Sequence, residues 1–346
     1  MIREAIIELS KGNDLSYDTA EAVMDEIMSG GASDIQMSSY LTALAMKGET
    51  IDEITASAEQ MRAHGIKLLD EEDALEIVGT GGDGSNTFNI STTAALIIAA
   101  GGVRVAKHGN RAASSRSGAA DCLEALGVDI TVSPERSKEL LNEIGICFLF
   151  AQNYHFAMKY VGPVRKELGI RTIFNILGPL ANPAGAKMEV MGVYDESLID
   201  PLSNVLVNLG VKNAMVVFGS DRLDEISMSA PTEVCEIRDG KMKRTTITPE
   251  EVGLTRCEKE DLVGGTPAEN AVITRRILAG VKGPKRDAAV INAAAAFFVA
   301  GKAETMKDGV KLAEKLIDSG AAQRKLDEFV ECSNSAGSKK RDKQAS

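Results

Sequence analysis

A glycine-rich segment between an apolar run and an apolar helix constrains the fold of this chain more than any other feature. It reads V-G-T-G-G-D-G-S-N-T-F-N-I-S-T from Val78 to Thr92. Residues 74–78 are typical of a buried strand and residues 91–100 of an apolar helix, so the segment is a strand-to-helix turn. Its glycines permit positive φ angles and leave the main-chain amides accessible. With the helix N-terminus, those amides favour a phosphorylated ligand.

Two other interpretations of this turn are open from the residues alone. Gly79, Gly81 and Gly84 match the G-x-G-x-x-G pattern of dinucleotide-binding turns. That pattern needs an acidic residue about 20 positions later to bind a ribose. The chain has Lys107 instead, at the start of K-H-G-N-R, which suits phosphate better. The second alternative is a turn with a purely structural role.

Composition excludes several classes of protein. With 346 residues and 44% hydrophobic content, the chain can form one large or two ordinary domains. Its net charge of −11 disfavours binding to nucleic acid or to an anionic membrane. The five cysteines are scattered and form no C-x-x-C pair, which predicts reduced thiols and a cytoplasmic location. The longest apolar run, at 288–301, is too short to span a bilayer.

Residues 1–65 repeat one pattern, which predicts a small domain of four helices. Each unit has a capping residue, an acid or amide three positions later, an apolar stripe and then a glycine. The predicted capping boxes pair Asp18 with Glu21, Ser33 with Gln36, and Thr50 with Glu53.

From about residue 70 the pattern changes to short strands that alternate with helices, which predicts an α/β domain with a mostly parallel sheet flanked by helices. This domain is expected to cover residues 70–332, and Asp239-Gly240 is expected to form a hairpin turn. The Gly-Pro and Asn-Pro pairs within residues 151–185 predict an insertion that joins the helical domain. Residues 333–346 are polar and basic, typical of a disordered tail. The predicted strands are 74–78, 102–106, 128–132, 146–150, 188–194 and 212–218.

Three unusual loops follow strands of this predicted sheet. They are G-T-G-G-D, K-H-G-N-R-A-A-S-S and S-D-R-L-D-E-I-S. Ligands of open parallel sheets bind outside the carboxyl ends of the strands, so the three loops are expected to share one site. Lys107 and Arg111 supply positive charge, and the adjacent acids Asp224 and Glu225 suit Mg²⁺ held together with phosphates.

These loops, together with V-G-P-V-R-K-E-L-G-I-R-T-I-F-N-I-L-G-P-L-A-N-P, resemble the anthranilate phosphoribosyltransferase family. The resemblance extends from the N-terminal helices to about residue 332. It implies a nucleoside phosphorylase/phosphoribosyltransferase-like fold and transfer of a phosphoribosyl group from phosphoribosyl pyrophosphate to the amine of anthranilate, in tryptophan biosynthesis. It also implies Mg²⁺, with two ions, and a homodimer formed through the helical domain.

The resemblance assigns site residues one by one. For phosphoribosyl pyrophosphate they are Gly79, Gly82, Asp83, Thr87, Asn89, Ile90, Ser91, Thr92, Lys107, His108, Gly109, Asn110, Arg111, Ala112, Ala113, Ser114, Ser115 and Ala119. For anthranilate they are Gly79, Asn110 and Arg165, and for the metal Ser91, Asp224 and Glu225. The catalytic residues are Lys107, Asp224 and Glu225.

The chain departs from the family pattern at two positions. Ala119 stands where serine is frequent, and Phe156, beside His155, stands where proline is common. Two rival functions are a pyrimidine nucleoside phosphorylase, which needs no carboxylate pair, and a non-catalytic paralogue that binds nucleic acid, which should be basic. An arginine in V-R-K-E-L could also form a simple surface ion pair.

Overall fold

The computed structural model describes residues 1–68, 73–112 and 115–335. The helices are α1 Ile2–Ser10, α2 Tyr17–Met28, α3 Asp34–Lys47, α4 Ile51–Ala63, α5 Ile90–Ala100, α6 Ala119–Ala125, α7 Pro134–Glu143, α8 Ala151–Tyr154, α9 Met158–Leu168, α10 Phe174–Leu180, α11 Ile199–Asn208, α12 Pro267–Leu278, α13 Pro284–Val299, α14 Met306–Asp318 and α15 Ala321–Asn334. The strands are β1 Leu75–Gly79, β2 Val105–Gly109, β3 Ile146–Phe150, β4 Met188–Gly192, β5 Asn213–Gly219, β6 Thr232–Arg238 and β7 Lys241–Ile247.

The strands form a seven-stranded sheet in the order β3-β2-β1-β4-β5-β6-β7. Strands β1 to β5 are parallel, whereas β6 and β7 are an antiparallel hairpin at one edge. Asp239 and Gly240 have φ angles of 48° and 75°, the positive values that a tight hairpin turn requires. The predicted mostly parallel sheet and the predicted hairpin are both confirmed.

Two buried apolar clusters hold the elements together. The first surrounds α5 and α13 and includes Ile97 and Ala293. The second joins α1–α4, α9 and α10 to the opposite face of the sheet, through residues such as Leu41, Leu177 and Met191. Helices α9 and α10 lie in the segment expected to leave the sheet, and they pack on α2, α3 and α4. The helical part therefore lies directly against one face of the sheet.

The capping boxes at Ser33 and Thr50 form as predicted, but the one at Asp18 does not. Ser16 caps α2 instead, with its hydroxyl accepting a hydrogen bond from the Thr19 amide. Asp18 lies in the first turn of the helix, where its charge interacts favourably with the helix dipole. The helix thus begins earlier than the sequence pattern suggested.

The strand predicted at 128–132 was wrong. The Asp129 carboxylate accepts hydrogen bonds from the Thr131 amide at 2.9 Å and the Thr131 hydroxyl at 2.7 Å, which closes a local turn. The Asp129 amide donates to the Ser333 hydroxyl at 3.0 Å. Val128 and Ile130 are buried in the first apolar cluster, so the alternating pattern reflects packing without a sheet.

The boundaries of two predicted segments also differ from those in the structure. Strand β2 begins at Val105 instead of residue 102, so Lys107 and His108 lie within the strand and not in the loop after it. The predicted tail began at residue 333, but α15 continues through Asn334. Residues 336–346 lie outside the described residues. No helix in the described part of the chain has both the length and the apolar character needed to cross a bilayer.

Glu53 is expected to contribute strongly to the stability of the helical part. Its fully buried carboxylate accepts hydrogen bonds from the Leu15 amide, the Thr50 amide and the Lys47 ammonium at 2.8–2.9 Å. Glu53→Ala should lower the free energy of unfolding by about 3 kcal/mol, because it leaves the Leu15 and Thr50 amides without this acceptor and removes one of the partners of Lys47. Urea denaturation followed by circular dichroism measures this change.

The exposed neighbour Asp52 provides the matched control. Asp52→Ala should change the free energy of unfolding by less than about 1 kcal/mol. Equal losses in the two variants would contradict the assigned role of Glu53.

Candidate active site

A cavity of about 780 Å³ lies at the carboxyl ends of β1, β2 and β5, opposite α9 and α10. Every predicted site residue that the structure describes lines it, whereas Ala113 and Ser114 lie outside the described residues. The predicted residues in its wall are Gly79, Gly82, Asp83, Thr87, Asn89, Ile90, Ser91, Thr92, Lys107, His108, Gly109, Asn110, Arg111, Ala112, Ser115, Ala119, Arg165, Asp224 and Glu225.

The glycines of the turn after β1 serve two different purposes. Gly81, Gly82 and Gly84 have φ angles of 74°, 77° and 72°, which disfavour residues with a side chain. Gly79 is needed for space instead, because a Cβ atom there would lie 2.3 Å from Oδ2 of Asp224. The glycine-rich turn is therefore in direct contact with residues 220–231, the loop that carries Asp224 and Glu225 and is called the carboxylate loop below.

Two main-chain amides expected to bind an anion are occupied by the chain's own carboxylates. The Gly81 amide donates to Oδ2 of Asp224 at 2.6 Å. The Ser91 amide, in the first turn of α5, donates to Oε1 of Glu225 at 3.2 Å. These bonds fix both acids at the floor of the cavity. Residues 220–231 form no helix or strand, which gives the two adjacent acids the irregular backbone they need to face one site.

The electrostatics of these acids suit a divalent cation. Burial, and then the charge of Asp83, raise the pKa of Asp224 to about 7. Burial, and then the charge of Asp224, raise the pKa of Glu225 to about 8. Oδ2 of Asp83 is buried without a hydrogen-bond partner. A cation placed among these oxygens would relieve their repulsion and keep them ionised.

No group of three or more His, Cys, Asp or Glu side chains among the described residues has the arrangement of a complete metal site. The carboxylates of Asp224 and Glu225 and the hydroxyl of Ser91 are all hard oxygen donors. Mg²⁺ is commonly held by one or two carboxylates and completes its shell with water and substrate phosphates. The residues present therefore fit Mg²⁺ that arrives with a phosphorylated ligand.

Lys107 is buried in β2, where its ammonium group donates to the Ile77 carbonyl at 2.6 Å and to the Ser91 hydroxyl at 3.2 Å. Burial lowers the pKa of Lys107, and the charges of Glu76 and Glu225 oppose that shift. The side chain thus places a positive charge beneath the N-terminus of α5, next to Ser91.

Arg111, which is predicted to supply positive charge to the phosphate site, is paired with acidic side chains. It pairs with Asp121 at 2.9 Å and Glu124 at 2.8 Å, and it lies over the Phe150 ring at 5.7 Å. These partners raise the pKa of Arg111. A phosphate that approaches Arg111 would therefore meet a guanidinium group whose charge is already shared with two acids.

Asn89 is oriented by residues that the sequence patterns did not reveal. Its amide group donates to the Ser117 carbonyl at 3.1 Å, and its oxygen accepts from the Ser117 hydroxyl at 3.1 Å and from the side chain of Asn270 at 2.8 Å. Asn270 is separated from Asn89 by 181 positions and has no motif around it that indicates this contact.

The other half of the cavity contains Arg165, which has no ion pair with any residue that the structure describes. Arg165 is half-buried on α9, and its guanidinium lies 5.3 Å from the centre of the Phe174 ring. Burial alone lowers its pKa, and it has no carboxylate partner in the described residues. The alternative of a surface ion pair is therefore wrong. The guanidinium is available to a carboxylate that enters the cavity.

Two histidines line the cavity near this arginine. The rings of His108 and His155 meet edge to face, with centroids 5.1 Å apart. Burial lowers the pKa of His108 to about 3 and that of His155 to about 4, so both are neutral at pH 7. Phe156 is 58% exposed at the rim. Apart from Arg165 and Lys159, both on α9, the described residues that line this half are uncharged.

Arg171, in the connection between α9 and α10, was not identified from the sequence. Its guanidinium donates to the Gly82 carbonyl at 2.6 Å and stacks on the Tyr194 ring at 3.9 Å. It thus links the connection between α9 and α10 to the glycine-rich turn, 89 positions earlier in the sequence.

Comparisons with known proteins identify the family. The model described as "Glycosyl transferase family, helical bundle domain" matches residues 3–65, and "Glycosyl transferase family, a/b domain" matches residues 71–323. An anthranilate phosphoribosyltransferase from Methanobrevibacter smithii is 65% identical over 97% of this chain and 100% of its own length.

Solved structures agree with this family. Anthranilate phosphoribosyltransferase from Thermus thermophilus superimposes with a TM-score of 0.91 at 46% identity, covering 96% of this chain and 99% of that one. The enzyme from Saccharomyces cerevisiae, in complex with PRPP and Mg, gives a TM-score of 0.88 at 30% identity, covering 97% and 98%. The resemblance read from the motifs is confirmed, and the chain belongs to the anthranilate phosphoribosyltransferase family.

Proposed function

We propose that this protein transfers the 5-phosphoribosyl group of phosphoribosyl pyrophosphate to the amine of anthranilate. The products are N-(5-phosphoribosyl)anthranilate and pyrophosphate, in tryptophan biosynthesis. One observation carries the proposal: a single cavity joins a carboxylate pair beside a glycine-rich turn to an arginine that has no carboxylate partner among the described residues. The first half suits a polyanionic donor with Mg²⁺, and the second suits an aromatic acid. The unpaired cysteines are in keeping with a cytoplasmic enzyme.

The donor is proposed to bind over the glycine-rich turn and β2, at the residues assigned from the family motifs. Asp224, Glu225 and Ser91 would hold Mg²⁺, and two ions are proposed from the family resemblance. When bound, Mg²⁺ supplies charge stabilisation for the departing pyrophosphate. Lys107 adds a fixed positive charge beside Ser91, at 3.2 Å from its hydroxyl.

The acceptor is proposed to bind with its carboxylate on Arg165. A two-pronged guanidinium contact would orient the ring and direct the amine at the anomeric carbon. That carbon becomes cation-like as the bond to pyrophosphate lengthens, so a weakly basic aromatic amine can attack without a strong general base. The neutral state of His108 and His155 is compatible with this chemistry.

Two observations favour this reaction over its rivals. A pyrimidine nucleoside phosphorylase has no use for the carboxylate pair, and its uncharged base has no carboxylate to pair with Arg165. A nucleic-acid-binding paralogue should be basic, whereas this chain has a net charge of −11. The proposed donor, acceptor and metal use the carboxylate pair, Lys107 and Arg165.

A direct assay tests the reaction. Anthranilate fluorescence should fall when the protein is mixed with phosphoribosyl pyrophosphate and Mg²⁺, and it should stay constant when either is omitted. Constant fluorescence with both present, together with phosphate-dependent cleavage of uridine, would overturn the proposal in favour of the phosphorylase.

A homodimer through the helical part is also proposed. Ile35 and Met46 on α3 are 79% and 83% exposed. They are about three helical turns apart and so lie on one face. Two large exposed apolar side chains on one helix face support a protein contact there.

Arg165→Ala should raise the KM for anthranilate by about 10- to 100-fold, because a charge-assisted hydrogen bond to the carboxylate is lost. The KM for phosphoribosyl pyrophosphate should change by less than about threefold. Initial rates at varied concentrations of each substrate measure both constants. Lys166→Ala, at the exposed next position of α9, is the control and should leave both unchanged. If the Arg165 variant raised the KM for both substrates equally, Arg165 would not be the residue that binds the carboxylate of anthranilate.

Asp224→Asn combined with Glu225→Gln should reduce turnover by at least about a hundredfold or shift the Mg²⁺ requirement to much higher concentrations. Titration of the rate with MgCl₂ measures the effect. Glu250→Gln with Glu251→Gln neutralises an adjacent acidic pair that is exposed outside the cavity and should have no effect. An unchanged Mg²⁺ profile in the first variant would place metal binding elsewhere.

Ile35→Asp with Met46→Asp should convert the dimer to a monomer, since burying two carboxylates in an apolar contact is costly. Sedimentation velocity gives the mass. Val272→Asp introduces a charge at a similarly exposed apolar position on α12, 57% exposed, and should leave the mass unchanged. A variant that still sediments as a dimer would exclude this face of α3.

A further inference from the structure

Strands β1 and β2 separate at the point where they approach the cavity. They are in register at one pair, Leu75 with Val105. By contrast, β1 pairs with β4 over five residues, and β2 pairs with β3 over five residues. The opening is therefore confined to one seam of an otherwise regular sheet.

Along this seam, side chains form hydrogen bonds with main-chain groups that would otherwise bond to the neighbouring strand. A parallel ladder continued from Leu75 and Val105 would join the His108 amide to the Ile77 carbonyl, and the Ile77 amide to the Ala106 carbonyl. Instead, the His108 amide donates to both carboxylate oxygens of Glu76 at 3.1 Å. The Ile77 carbonyl accepts from the Lys107 ammonium at 2.6 Å.

Asn182, in the segment that follows α10, provides a further side-chain hydrogen bond to a main-chain group of the seam. Its side-chain amide donates to the Ala106 carbonyl at 2.8 Å and also to the Glu76 carboxylate. Its oxygen accepts from the Ala184 amide at 2.7 Å, which fixes the orientation of the side chain. The polar wedge, defined as Glu76 and Asn182, thus lies in the seam between the two strands.

The wedge is costly to maintain. Glu76 is 0% exposed and Asn182 is 3% exposed, and burial raises the pKa of Glu76 to about 8. A regular ladder would satisfy the same backbone groups without burying a carboxyl group. The stability of the sheet therefore does not explain the wedge.

The open seam has a direct effect on the cavity. Lys107 donates to the Ile77 carbonyl, the acceptor that the His108 amide would use in a closed ladder. If the ladder closed, the ammonium group and the His108 amide would share this oxygen, and the glycine-rich turn after β1 would move toward β2. The position of Lys107 beside Ser91 depends on the separation of the strands.

We propose that Glu76 and Asn182 are positioning residues that hold β1 and β2 apart, and thereby set Lys107 and the glycine-rich turn for the pyrophosphate-bearing donor. The choice of donor rests on the proposed function, whereas the splitting of the strands is a property of the fold.

The test measures donor binding by calorimetry with phosphoribosyl pyrophosphate and MgCl₂, without the acceptor. Glu76→Met, an apolar side chain of similar size, should weaken donor binding more than about tenfold. The midpoint of thermal unfolding should be unchanged or higher, because main-chain bonds replace the wedge and a buried carboxyl is removed. A purely structural residue would give the opposite combination. A crystal structure of the variant should show the His108 amide bonded to the Ile77 carbonyl.

Glu189→Gln is the matched control. Glu189 lies on β4 in register with Glu76, is 1% exposed, and has an oxygen without a hydrogen-bond partner in the described residues. This variant should bind the donor within twofold of the unmodified protein, since Glu189 does not lie in the seam.

Glu76→Gln provides the second measurement and decides the matter if the methionine variant does not fold. It retains an acceptor for the His108 amide but turns an NH₂ group toward that of Asn182, so donor affinity should fall by about threefold or more. If Glu76→Gln binds the donor as tightly as Glu189→Gln does, the positioning role of Glu76 and Asn182 is wrong. An unmodified protein that binds the donor but does not consume anthranilate would overturn the reaction only, so the two failures are distinguishable.

Discussion

The carboxylate loop can reach the glycine-rich turn only because two neighbouring strands both end in glycine. Gly79 of β1 and Gly192 of β4 are register partners. A Cβ atom at Gly192 would lie 1.7 Å from the Asp224 carbonyl oxygen, and one at Gly79 would lie 2.3 Å from the Asp224 side chain. No rotamer change could relieve a contact of 1.7 Å with backbone. The pair of glycines therefore forms a slot that admits Asp224, and the proposed metal site depends on that slot.

The slot also explains why the acids are so strongly perturbed. Asp224 and Glu225 are held by the Gly81 and Ser91 amides inside a buried region, close to Asp83. Burial and mutual repulsion favour their protonated forms, while the two amides and Lys107 favour the charged forms. Because these influences are nearly balanced, the protonation of Asp224 and Glu225 should change when a cation and a polyanion bind together. The charges of the ligands would then neutralise a large part of the charge of the two carboxylates.

Much of the fold and of the cavity could be predicted because the signals are local. The glycine-rich turn, the capping boxes at Ser33 and Thr50 and the Asp239-Gly240 hairpin each depend on a few consecutive residues. The error at 128–132 arose because burial of Val128 and Ile130 produces the same alternation as a strand. Only the contact of Asp129 with Thr131 separates the two cases.

The rest could not be predicted because it depends on distant partners. Asn270 and Arg171 act on the cavity across 181 and 89 positions, and nothing near them in the sequence indicates their partners. The single register pair between β1 and β2 is equally hidden, since Glu76 in β1 and Lys107 in β2 do not indicate which main-chain groups they contact. The availability of Arg165 and the engagement of Arg111 likewise depend on which acids lie nearby in space.

The bond from Asp129 to Ser333 spans 204 positions, and it has a consequence for the order in which the protein is made. Helix α5 packs against α13 and α15, so the central layer acquires its cover only when the end of the chain is present. The first four helices leave the ribosome early, but they must wait for α9 and α10 before their apolar faces are enclosed. Until these later helices have been synthesised, the nascent chain therefore exposes much of both clusters.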